Sequence, residues 1–181
     1  FWDDVFTAYP KWVLEFCDVY EAEIGLPFFC YTHPEMVTEK LMGAMVRAGL
    51  KRVTMGIESG SNRIRTQYMA RFESNENIHK SSVVQAGRGL DISYDFILSA
   101  FETEEDKREG LELCLGLQKP FKAQMHTMTY YPGYPITVKA LADGDCGAAV
   151  VPVENSVEGG VTACLDVLWE HSDLQIRRAL V

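Results

Sequence analysis

Paired cysteines are missing from this sequence. Its five, Cys17, Cys30, Cys114, Cys146 and Cys164, are odd in number and far apart, with no CxxC spacing. That pattern argues against a disulfide framework and a thiolate metal site, and predicts reduced thiols in packed positions. Positive charge is also in short supply: 26 acidic residues stand against 17 basic ones, a formal charge of −9. Such a chain repels nucleic acid and anionic membranes, and no basic patch offers a footprint for either. No apolar run approaches the length of a membrane span, and no charged segment followed by an apolar one opens the chain. A cytoplasmic location is the expectation, with a small molecule as partner; oligomeric state is left open. The four histidines, His33, His79, His126 and His171, show no metal-ligand spacing.

What is present suits one domain with a sizeable core: 181 residues, 47% of them hydrophobic. Residues 11–24 place Val13, Phe16, Cys17, Tyr20 and Ile24 on one helical face, with Gly25 as the stop. The short aromatic run FFCYT suits a strand. Residues 35–48 repeat the helical period through Val37, Leu41, Ala44, Met45 and Ala48, closed by Gly49. In KRVTMGIES, Val53, Met55 and Ile57 alternate with Arg52, Thr54 and Gly56, a strand period ending at Glu58. A less regular helix is expected from about Asn75 to Gly87, then a strand at ISYDFIL. Thr103, followed by Glu104, Glu105 and Asp106, is a strong helix start, because a hydroxyl caps free amides and acids favour that end of the dipole. That helix is expected to turn Leu111, Cys114 and Leu115 inward and to stop by Pro120. A last strand, AQMHTMTYY, runs into the turn PGYP. Strand and helix in alternation imply an α/β fold with a parallel sheet, either open and wound or part of a barrel.

In such folds ligands sit at the carboxyl ends of strands. Four polar stretches occupy such places: FWDDVFT, GIESGS, FETEED and YYPGYP. Glu58 lies between Gly56 and Gly60, where backbone can approach a ligand while the carboxylate accepts from hydroxyls or an amine. Arg71 can return over the same rim and pair with a ligand carboxylate. Taken alone, the pair reads equally well as solvated rim charges. His33 and His126 follow or lie in strands; for His126 a hydrogen-bonded interior place is preferred to a substrate-facing one.

The run FWDDVFT, the stretch GLPFFCYTHPEMVTEKLMGAMVRAGLKRVTMGIESGSNRIR, Arg71, FETEEDKREGLELC and YYPGYPIT together resemble the radical S-adenosylmethionine superfamily, in its cobalamin-binding branch. The resemblance covers residues 1–144. It implies a partial (β/α) barrel, here incomplete at the N-terminus, that holds S-adenosylmethionine and a 4Fe-4S cluster at the strand carboxyl ends. It also implies that Asp3 and Asp4 end a strand beside the cofactor's amino group, that Glu58 meets its ribose or amino group, and that Arg71 meets its carboxylate. Two features depart from the pattern. The CxxxCxxC loop that holds the cluster is absent from the sequence, its place falling before Phe1, and LSAFETEED lacks the glycine or proline usual before the Glu-Thr pair. Three close thiolates are needed to hold such a cluster. A fragment that binds the cofactor at most loosely, and is inactive alone, is therefore the expectation, with cobalamin belonging to the parent protein only.

From about Asp145 the sequence changes character. CGAAVVPVENSVEGGVTACLDVLWEHSDLQI resembles the catalytic domain of prephenate dehydratase, through VPVENSVEGGV: a buried strand, Glu154-Asn155-Ser156 at its end, and a glycine-marked helix start. The resemblance implies that Asn155 and Ser156 bind a substrate carboxylate. On the residues alone the pair also reads as a turn or helix cap. The family's later Thr-Arg-Phe segment and regulatory domain are absent. The organisation expected is thus chimeric: residues 1–144 a partial barrel and residues 145–181 a short α/β segment, joined without a flexible linker. A folded remnant or interaction module without catalysis is a third possibility.

Overall fold

A computed structural model describes residues 1–131, 134–142, 154–155 and 159–160. The chain divides into two compact units, residues 1–127 and 128–181.

The first unit is built on four parallel strands in the order β1 (Phe28–Thr32), β2 (Leu50–Glu58), β3 (Asp91–Leu98) and β4 (Lys122–Thr127). Because neighbouring strands are consecutive and parallel, each connection is a helical crossover: α2 (Glu39–Ala48), then α3 (Asn62–Tyr68) with α4 (Asn75–Ala86), then α5 (Glu104–Gly116). A further helix, α1 (Pro10–Glu23), precedes β1 and starts on a proline, whose missing N–H costs nothing at a first helical position. Helices α2, α3, α4 and α5 are each opened by a hydroxyl that accepts from a backbone amide: Thr38 from Leu41, Ser61 from Ile64, Ser74 from Asn77 and Thr103 from Asp106.

Alternation along the strands sorts the sheet into two faces. Val53, Met55 and Ile57 of β2 and Ile92, Tyr94 and Phe96 of β3 point to one side, where they pack with Leu41, Met42, Met45, Ile78, Leu113 and Leu117 of the helices. Each such buried aliphatic side chain contributes about 1.5–3 kcal/mol. Thr54 and Gly56 pair across the other face with Ser93 and Asp95, and Asp95 in turn with Gln124.

The expected elements of the first unit are present, with four differences. The second expected helix is a 3-10 turn at Pro34–Met36 followed by α2, since Pro34 opens the turn and Thr38 caps a new start. Ile24 is 56% exposed, because α1 has already ended at Glu23 and Gly25 turns the chain through φ 63°. On α5, Leu111 and Leu115 face outward, and the buried stripe runs through Asp106, Leu113 and Leu117. The cap at Thr103 sets that rotation: it draws Asp106 inward, and residues seven and eleven later follow it. Finally, the last strand stops at Thr127, and every residue of β4 is exposed.

In the second unit the structure describes helix α6 (Pro135–Ala142) and the antiparallel pair β5 (Glu154–Asn155) and β6 (Gly159–Gly160). The glycines expected to open a helix therefore lie in a strand, in keeping with the low helix propensity of glycine. Ser156, Cys146, Cys164 and His171 lie outside the described residues. No helix among the described residues is long and apolar enough to cross a membrane.

Candidate functional site

In a parallel sheet the strand carboxyl ends share one rim, and the rim of the first unit holds a cleft of about 330 Å³. That volume lies at the lower end of the range of small-molecule sites. Every strand contributes: Tyr31 and Thr32 from β1, Gly56 and Glu58 from β2, Asp95 and Ile97 from β3, and His126 from β4. Arg71, on the connection after α3, completes it with Asp4 and Val5.

The two residues expected to act together do meet. Arg71 Nη2 donates to Glu58 Oε1 at 3.0 Å and to the Gly56 carbonyl at 2.9 Å, and both side chains are 22% exposed. The backbone works to bring them there. Pairing of β2 with β3 shifts register between Gly56 and Glu58, and Glu58 takes a φ of 68° in a three-residue turn closed by Ser59 N–H on the Ile57 carbonyl. Turns of this kind are rare and strained. Helix α3 ends with Ala70 at φ 51°, and the Arg71 amide returns to the Arg65 carbonyl at 2.9 Å, a helix ending that usually employs glycine. Glu58 and Ala70 are the non-glycine residues of positive φ among those described, so the backbone strain is concentrated on this ion pair. Gly56 is the third requirement: a Cβ there would stand 2.4 Å from Glu58 Oε1 and 3.0 Å from Arg71 Nη2.

The electrostatics of the cleft are acidic. Burial pushes the Glu58 carboxyl up, against the pull of Arg71, and the nearby Asp95 and Glu73 carboxylates push the same way. Burial likewise raises Asp95, partly offset by His126 and by a hydrogen bond from Gln124 Nε2 at 2.8 Å. His126 Nε2 lies 4.0 Å from Asp95 Oδ1 with its side chain 56% exposed, so it faces the cleft rather than a closed interior. No residue of β4 is buried, so a histidine on it has no closed interior to enter, unlike the place preferred above.

Of the expected residues, Asp4 lines the cleft but Asp3 does not. Asp3 lines a separate hollow with Phe6, Tyr9 and Trp12. Neither ends a strand: residues 1–3 have no strand pairing, Asp4 and Val5 form a turn, and the Phe1 amino group reaches the sheet with one hydrogen bond to the Phe29 carbonyl at 2.9 Å. FETEED supplies no cleft residue either. Its Asp106 accepts from Ser61 Oγ at 2.6 Å, from the Thr103 amide at 2.8 Å and Oγ1 at 2.7 Å, and from Arg63. The stretch thus fastens α5 to the loop after β2. YYPGYP falls in the second unit, and its residues 132–133 lie outside those described. Asn155 sits in β5, paired with Gly159. His33 caps the 3-10 turn after β1, accepting from the Glu35 amide at 3.2 Å.

Sequence reasoning overlooked Asp95, Arg65 and Glu73. Asp95 carried a signal, as the one charge inside ISYDFIL, at an alternate position that shares the face of Ser93 and of Gly56. Arg65 is fully buried and staples the site's loops, donating to the Ser59 carbonyl at 2.6 Å, the Glu73 carbonyl at 3.2 Å and Asn75 Oδ1. Glu73 is 1% exposed and carried no signal.

Comparison with known proteins gives two overlapping findings. Residues 116–181 match the family model for prephenate dehydratase. In fold the chain is similar to TsrM, a radical S-adenosylmethionine methyltransferase from Kitasatospora setae, in two structures. One, with cobalamin and a [4Fe-4S] cluster bound, gives a TM-score of 0.59 at 14% identity, over 83% of this chain and 31% of that one. The other, with tryptophan and a cofactor analogue bound, gives 0.61 at 15% identity, over 83% and 30%. It is also similar to the archaeal Elp3 of Methanocaldococcus infernus, with a TM-score of 0.53 at 18% identity, over 66% and 28%. The chain thus spans less than a third of each of these structures. No curated protein matches its sequence. The likeness in fold extends into the residues matched by the family model, because 83% of the chain exceeds what precedes residue 116.

Proposed function

We propose that residues 1–144 are the S-adenosylmethionine-binding part of a partial radical S-adenosylmethionine barrel, with the cleft at the strand ends as the cofactor site. The observation that carries the reading is the strained pair of Glu58 and Arg71 at the shared rim. The donor set fits the cofactor. Arg71 Nη1 makes no hydrogen bond among the described residues and offers a donor for a carboxylate, while Glu58, Asp95 and Asp4 offer acceptors to an amine, a sulfonium or ribose hydroxyls.

In the family named by the resemblance, the bound cofactor supplies a sulfonium that an iron–sulfur cluster reduces. The described residues do not fit such a cluster. Cys17 and Cys30 are 1% and 0% exposed, with thiols pushed up by burial to about 11 and about 12, and no three metal-binding side chains converge. Binding alone is therefore assigned to this cleft. Isothermal titration of the 181-residue chain with S-adenosylmethionine tests it: saturable binding at one site, weakened at least about tenfold by R71M, is expected from the loss of a charge-assisted pair. Absence of binding overturns the reading.

The family-model match favours a second reading for the C-terminal stretch, that residues 145–181 are a prephenate dehydratase-like segment in which Asn155 and Ser156 take a carboxylate. A prephenate-induced NMR shift at Asn155 that is lost in N155A is expected; a chain indifferent to prephenate overturns it.

A further inference from the structure

We propose that Glu73 is a positioning residue for Arg71, and that through Glu73 the capture of a carboxylate by Arg71 is coupled to the protonation of His33. The inference rests on the cofactor reading above. Glu73 is 1% exposed, and neither of its carboxylate oxygens has a hydrogen-bond partner. Its neighbours are two cationic or potentially cationic groups, one on each oxygen: Arg71 Nε at 3.5 Å from Oε1, and His33 Nε2 at 3.6 Å from Oε2. Arg71 Nε is itself buried without a hydrogen bond. A buried carboxylate left in this state is costly unless a nearby cation balances it.

The arrangement is a row of charges running from the end of β1 to the end of β2: His33, Glu73, Arg71, Glu58. Arg71 is held from both sides, its Nη2 by Glu58 and its Nε by Glu73, which directs the remainder of the guanidinium at the cleft. With His33 neutral, the charge of Glu73 is balanced by Arg71 and by the buried guanidinium of Arg65, which also faces it. A proton added to His33 goes to Nδ1, at the expense of the cap on the Glu35 amide, and places a cation beside Glu73, while Glu73 holds Arg71 Nε in either state. The groups facing His33 are Glu73, Glu35 and Arg71. Burial lowers the imidazole and Arg71 lowers it further, while Glu73 and Glu35 raise it. Pairing Arg71 with a ligand carboxylate removes part of the lowering, so ligand binding favours proton uptake. By reciprocity the ligand binds more tightly when His33 is protonated.

Two arms test this on the full 181-residue chain. The first needs no ligand: the His33 imidazole is titrated by NMR. E73Q is expected to move its midpoint down, and R71M to move it up. If neither substitution moves it, the coupling is overturned. Should E73Q fail to fold, R71M, at a partly exposed position, decides the point by itself. The second arm compares S-adenosylmethionine with its decarboxylated form, which lacks the group that Arg71 would grip. E73Q is expected to weaken the first by roughly tenfold, within the usual range of coupling between sites, and to leave the second unchanged. E73D is expected to restore part of the loss. An equal loss for both ligands shows a merely structural Glu73 and overturns the positioning role. A wild-type chain that binds neither ligand overturns the cofactor reading, and the positioning claim with it, while the His33 titration still decides the coupling.

Discussion

Two arginine–carboxylate clusters flank the loop after β2, and they are built on opposite terms. Around Asp106 every demand is met: Ser61, Arg63 and both polar groups of Thr103 satisfy the carboxylate, and Arg63 also reaches the Phe101 carbonyl. These partners, Arg63 foremost, hold the Asp106 carboxyl well below the usual range. Around Arg71 the demands are left open: Glu58 and Ala70 sit in left-handed backbone, and Arg71 Nε and both Glu73 oxygens lack hydrogen bonds. Burial there pushes Glu58 and Asp95 up. A satisfied network holds a fold, whereas an unsatisfied and strained one marks a place kept for something else.

The signs of pH dependence separate the clusters. A depressed carboxyl such as Asp106 contributes stability above its unfolded pKa of about 3.9, and that contribution is lost as pH falls through and below this value. Raised carboxyls such as Glu58 and Asp95 work in reverse: their ionisation costs stability as pH rises from their unfolded values through their folded ones. Acid unfolding should therefore be governed by the Asp106 side.

The strongest way to break the satisfied cluster is G60A. A Cβ on Gly60 would lie 2.2 Å from the Gly110 Cα, backbone against backbone, so neither side can yield cheaply. A loss of about 3 kcal/mol in urea unfolding is expected, at the upper end for overpacking. D106A should cost about 2 kcal/mol through the lost cap and charged hydrogen bonds, and should leave the affinity for S-adenosylmethionine unchanged. G56A should do the converse. Its Cβ meets side-chain atoms that can move, so stability should fall by only about 1 kcal/mol, while displacement of Glu58 and Arg71 weakens binding at least about tenfold. The smallest effect is a gain: A70G relieves left-handed backbone and should raise stability by about 0.5–1 kcal/mol. Equal effects of D106A and G56A on binding would erase the distinction between the two clusters.

How far the sequence already showed this differs between fold and site. The four strands of the first unit and the starts of α1, α4 and α5 were legible, because alternation such as Val53-Met55-Ile57 and the cap at Thr103 are local signals. The rotation of α5 was not, since it depends on Asp106 being drawn toward Ser61 and Arg63, residues far away in the chain. Glu58 and Arg71 were readable as a pair because Glu58 ends a strand between two glycines and Arg71 follows closely enough in the chain to return over the same rim. Glu73 and Arg65 were hidden, as their role comes from burial between loops, which has no periodicity. Asp3 and Asp4 were placed on a strand through resemblance alone, and the chain instead turns there.

Hydrogen exchange on the 181-residue chain, with and without S-adenosylmethionine, tests the central claim most directly. The account predicts added protection at amides of residues 56–61 and 71–73 when the cofactor is present, and none at the capping box around Thr103. Unchanged exchange at 56–61 and 71–73 under saturating cofactor would contradict it.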